Sequence, residues 1–87
     1  MSSSHNRRSA FTKLLQLLGN YSEKLDNETL THDDFTEFQR IEPRIIEAYQ
    51  KGSYRRHEYM VLTGAYYYIK TKARILLRLD QGEEHER

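Results

Sequence analysis

Apolar residues recur at spacings of three and four from Phe11 onward. Phe11, Leu14, Leu15, Leu18, Tyr21 and Leu25 fall along one stripe and predict a first helix. Leu17 lies outside that stripe and reads as an isolated surface leucine. Gly19, inside the pattern, costs about 1 kcal/mol of helicity relative to alanine and weakens this helix locally.

A second helix begins with mutually consistent signals. Thr31 suits an N-cap, Asp34 stands three residues on where its carboxylate can reach back, and Leu30 can pack on Phe35 as a hydrophobic staple. Phe35, Phe38, Ile45, Ile46 and Tyr49 define its apolar face, which keeps its phase across Pro43. Proline removes an intrahelical hydrogen bond and clashes with the carbonyl of Gln39, so a kink or a split is expected there, with Asp33 to Ile41 as the first piece.

Lys51-Gly52-Ser53 reads as a C-cap followed by a new N-cap, and a third helix follows to about Leu79, roughly 39 Å long. Val61, Ala65, Tyr68, Ile69, Leu76 and Leu79 form its expected core stripe, with Leu62 and Ile75 at the edges. Gly64 beside that stripe suggests a close helix crossing. The expected fold is all-α: a compact three-helix bundle with the second helix kinked or split near Pro43 and a long third helix. Residues 1–8 read as a flexible basic arm, 9–80 as a single helical domain and 81–87 as an acidic flexible tail.

Composition agrees with this pattern. The chain has 87 residues and 37% hydrophobic residues, with ten Leu and five Ile against a single Val, a set that favours helix over buried sheet. That length supports one core and excludes two full domains. No apolar run approaches a membrane span and no secretion signal opens the chain, so a soluble protein in the cytoplasm or otherwise intracellular is expected, with no membrane partner. The absence of cysteine excludes disulfides, thiol nucleophiles and thiolate metal sites.

Charge changes the picture of the third helix. The formal net charge is only +1, yet residues 51–79 carry seven cations and one acid, whereas 21–50 carry three cations and eight acids. Arg56, Lys70, Arg74 and Arg78 fall within about 80° of one another on a helical wheel, and Tyr59, Tyr66 and Tyr67 are interleaved with them. Successive like charges at i, i+4 cost an isolated helix a few tenths of a kcal/mol each, which an acidic surface outside the helix can offset. Arginine and tyrosine are also common interface anchors. Glu42 and Lys72 each project onto the apolar side of their helices, where either an ion pair between them or a Lys72 that snorkels to solvent is expected.

No catalytic or metal motif emerges. His5, His32, His57 and His85 are scattered, Asp33, Asp34 and Glu37 read as a solvated helix start, and the four glycines are too dispersed for a phosphate loop. No enzyme activity, cofactor or metal is therefore expected. The resulting reading is a small non-enzymatic adaptor or regulatory protein, functioning as a homodimer, that binds an acidic protein surface through Arg56, Tyr59, Tyr66, Tyr67, Lys70, Arg74 and Arg78. Leu17, Tyr59, Met60, Tyr67 and Leu77 supply apolar surface for self-association. The alternative is a nucleic-acid-binding regulator that uses the same helix face, with Arg7 and Arg8 as arm contacts.

Overall fold

The computed structural model describes the backbone of residues 2–79 and the side chains of residues 10–79. Within these bounds the chain is all-α: α1 (Ser2–Asp26), α2 (His32–Gln39), α3 (Ile41–Gln50) and α4 (Arg56–Leu76). The two short helices α2 and α3 form one bent arm, so the architecture is a three-helix bundle with a split middle helix and a long last one. The boundary expected at residue 8 falls inside α1, whose backbone is helical from Ser2. The side chains of Arg7 and Arg8 and the tail 81–87 lie outside the described residues.

Each connection has a local cause. After α1, the amide of Glu28 donates to the Leu25 carbonyl at 3.0 Å and that of Thr29 to the Lys24 carbonyl at 2.8 Å, closing a Schellman turn. Glu28 takes the left-handed conformation (φ 58°) that glycine usually fills. At the start of α2 the expected capping box is present: the Asp34 amide donates to the Thr31 hydroxyl at 3.1 Å, and the Thr31 amide donates to the Asp34 carboxylate at 3.0 Å. Lys24 pairs with Asp34 at 3.1 Å and ties the end of α1 to this cap.

The middle arm breaks at Arg40, three residues before Pro43. Breaking there places the proline in the first turn of α3, where its missing N–H has no intrahelical acceptor and its ring meets no preceding helical turn. α3 ends at Gly52 (φ 78°) in a second Schellman turn, with Gly52 donating to Tyr49 and Ser53 to Ala48. α4 starts later than expected. Arg55, not Ser53, is its N-cap, and the Glu58 carboxylate accepts the Arg55 amide at 2.9 Å. It also ends earlier, because Arg78 adopts φ 65° just past Leu77 and stops the helix before Gly82 is reached.

The core gathers Leu14 and Leu18 of α1, Phe35 and Phe38 of α2, Ile41 and Ile45 of α3, and Leu62, Tyr66, Ile69 and Ala73 of α4, closed by Leu30 and Tyr54 from the connections. Phe38 sits at its centre, stacked on Tyr66 with ring centroids 4.5 Å apart and met edge-on by Tyr21 at 5.5 Å. Tyr54 caps one end, its hydroxyl donating to the Ile45 carbonyl.

The inward side of α4 differs from the expected stripe by roughly a quarter turn. Val61, Tyr68 and Ile75 face out, and Leu79, just past the helix, is also exposed. Ile69 of the expected stripe and Leu62 at its edge do face in, joined by Tyr66 and Ala73, and Ala65 and Leu76 pack against the core. On α1, Leu17 packs against the core and Leu15 is exposed, the reverse of the expected assignment. Ile46 of α3, expected in the core, is exposed as well.

Candidate recognition face

The chain that builds α4 is apolar on two sides, and the core covers one of them. Its outward side carries Met60, Val61, Tyr67, Tyr68 and Ile75, between 45% and 61% exposed. Arg56, at the first turn, is exposed, Lys70 and Arg74 are half-buried along one edge, and Lys72 is exposed on the other edge. Arg78 is exposed but lies beyond the helix end. The cations expected to share one flank of this helix are therefore spread along an edge, with Arg78 displaced by the left-handed turn.

The three tyrosines of the expected face part company. Tyr66 is enclosed at 1% exposure, stacked on Phe38, and cannot touch a partner. That corrects its expected place among the binding residues: it lies on the side of α4 that faces the core, where its ring stacks on Phe38. Tyr59 is half-buried and stacks on Tyr49 at 4.3 Å with its ring planes 16° apart. Tyr67 remains on the surface, its ring edge-on to Tyr66 at 5.2 Å and the Lys70 ammonium 5.6 Å from its centroid. Of the residues expected to support self-association, Met60 and Tyr67 are exposed, whereas Leu17, Tyr59 and Leu77 pack against the core.

Glu42 has a different partner from the one expected. Tyr67 donates its hydroxyl hydrogen bond to the Glu42 carboxylate, while the Lys72 ammonium lies 5.4 Å from the Tyr68 ring centroid. The proline that sets the start of α3 is what places Glu42 in its first turn, facing the middle of α4 and not the later turn that bears Lys72. Glu42, Tyr66 and Tyr67 line a cavity of about 40 Å³ together with Ile46 and Thr63.

The electrostatics follow from this packing. Burial, then the Glu42 charge, pushes the Tyr66 hydroxyl up to about 12, and burial, with a smaller contribution from Tyr59, pushes Tyr54 up to about 12. The hydrogen bond to Glu42 raises Tyr67. On the opposite side of the bundle the backbone amide of Thr31, then Lys24, lowers Asp34. All of these are explained by the fold, and none assembles a base, nucleophile and orienting group in a cleft.

Among the described residues no three His, Asp or Glu side chains converge to hold a metal ion, and no helix is long and apolar enough to cross a membrane. Open grooves run between α1 and α3, one of about 270 Å³ lined by Leu14, Ala48, Lys13 and Arg44 and one of about 430 Å³ lined by Leu17, Lys13 and Arg44. The fold and this surface define a small helical bundle with a cation-edged, apolar outer helix. No known protein family, curated protein or solved structure matches the chain.

Proposed function

We propose that this chain is a small non-enzymatic adaptor or regulatory protein that engages an acidic protein surface through the outer side of α4. Arg56, Tyr67, Lys70 and Arg74 are its contact residues, with Arg78 beyond the helix end. The reading has the protein act as an intracellular, cytoplasmic homodimer. The observation that carries it is the coincidence, on one helix, of exposed large apolar side chains with a cationic edge, in a stretch whose single acid, Glu58, is already engaged by the Arg55 amide. Exposed apolar area supplies contact energy, and the cations steer an acidic partner and form charge-assisted hydrogen bonds with it.

A photoreactive amino acid at Met60, which is 60% exposed, tests this directly. In lysate it is expected to yield protein adducts that disappear in the Arg56→Glu, Lys70→Glu double variant. The same protein is expected to leave duplex DNA and single-stranded RNA unbound at low ionic strength. Nuclease-sensitive adducts, or nucleic-acid binding with a steep salt dependence, would transfer the assignment to a polyanion-binding regulator.

A further inference from the structure

We infer that α4 pairs antiparallel with α4 of a second copy of this chain, each Tyr68 seated in the notch at the partner's Gly64. This rests on the reading above that the protein self-associates, and specifies the surface and geometry by which it does so.

A helix that keeps a second apolar face outside its own core offers that face to another molecule. Of the eight exposed large hydrophobic side chains among the described residues, five belong to α4: Met60, Val61, Tyr67, Tyr68 and Ile75. Val61, Tyr68 and Ile75 follow one another at steps of seven and so stay on one side, forming a ridge. Between them stand the small residues Gly64 and Thr71. Gly64 has no internal purpose of the kind expected from a close helix crossing, because a Cβ placed there meets nothing within 4 Å. The space beside it is open on the outside of the molecule.

Ridge and notch fit each other when a second helix runs the opposite way. If Tyr68 lies over the partner's Gly64, the same two-fold axis sets Val61 over the partner's Thr71, and both contacts are repeated by symmetry. Large side chains then meet small ones at these two levels, and Ile75 falls opposite the partner's His57. Charge bears on the direction as well: a parallel partner would set Lys72 against Lys72, whereas an antiparallel one sets Lys72 against the N-terminal half, which carries the acid Glu58 beside Arg56.

The area is adequate for a second copy. Val61, Tyr68 and Ile75 together leave on the order of 300 Å² of surface uncovered, within the range of patches that mark interaction sites. The groove of about 220 Å³ between the end of α1 and α4, walled by Leu25, Tyr68, Ile75 and Leu76, continues the patch along the helix. With His57, Thr71 and the Lys72 stem at its margins, the contact approaches the roughly 800 Å² per partner of a specific interface. The edge that carries Arg56 and Lys70 lies to one side of this ridge, outside the contact.

Sedimentation equilibrium of the full chain across micromolar concentrations decides the matter, with helical circular dichroism as the check on folding. The wild type is expected to dimerise. Tyr68→Lys and Ile75→Glu, at positions 61% exposed, are expected to keep the fold and weaken the dimer by at least about tenfold, while Leu15→Glu on α1 changes it by less than about twofold. Gly64→Leu gives two effects of opposite sign: a more heat-stable monomer, since leucine is the better helix former, and a weaker dimer, since the notch is filled. A chain that stays monomeric throughout overturns self-association and this interface together. A wild-type dimer that persists in Tyr68→Lys and Ile75→Glu overturns this interface alone.

Discussion

Raising the pH through the tyrosine range probes the core directly. Tyr54 and Tyr66 carry ionisations displaced from 10.0 to about 12, and both side chains are almost wholly enclosed. A tyrosine whose folded value lies above its unfolded one holds its proton more tightly in the folded state. Its contribution to stability is therefore complete below the unfolded value and is lost as the pH rises from about 10 to about 12. A displacement of two units is worth about 2.7 kcal/mol for each residue, of which about half is gone near pH 11. A domain of this size is held by roughly 4 to 13 kcal/mol, so losing about 5 kcal/mol from the pair removes most of the margin of a typical member of that range.

Phenolate absorbance and helical circular dichroism, followed together, read this out. Most of the seven tyrosines are expected to ionise first, with the helix signal intact, and the last two only as the helices unfold. Tyr66→Phe is expected to remove one of the late ionisations. It is also expected to leave binding through the outer side of α4 unchanged, since that hydroxyl faces Glu42 from inside. If all the tyrosines ionise in one step near the ordinary value while the helix signal stays native, the placement of Tyr54 and Tyr66 is refuted, and the orientation of α4 with it.

Two further substitutions test single features. Glu28→Gly relieves a left-handed residue that glycine occupies without a Cβ penalty, and is expected to raise the unfolding free energy by about 1 kcal/mol in urea; a loss would show that the Glu28 side chain contributes more than its backbone costs. Glu42→Gln is expected to bring the Tyr67 ionisation back toward its usual value and to change stability by no more than about 1 kcal/mol, whereas a loss of several kcal/mol would reveal a buried ion pair at Glu42 after all.

Much of the fold was legible because local signals and the core agreed. Thr31 and Asp34 together read as a capping box, and Lys51-Gly52-Ser53 carries the signature of a helix end. Pro43 announced a break, although the chain divides at Arg40 because the clash to be relieved is with the preceding turn. Glu28 and Arg78 carried no such announcement: both adopt a glycine-like backbone with a long side chain, so the ends of α1 and α4 could not be read from residue type. Ser53 misled for the converse reason, having capping chemistry but lying inside the turn that closes α3.

The recognition face was harder to read because α4 offers two apolar sides and periodicity does not rank them. A stripe through Val61, Tyr68 and Ile75 and one through Leu62, Tyr66, Ile69 and Ala73 are comparable in sequence. The second is chosen by partners on other helices. Tyr66 is the one large flat ring that can stack on Phe38 while its hydroxyl reaches Glu42, and Ala73 lets the neighbouring helix approach closely. Tyrosine looked like a surface residue because its hydroxyl must be satisfied, and only a three-dimensional arrangement shows that α3 satisfies it. The misassignment and the exposed outer ridge thus have one origin: α4 has more apolar surface than its neighbouring helices cover, so whichever side faces the core, the other stays exposed.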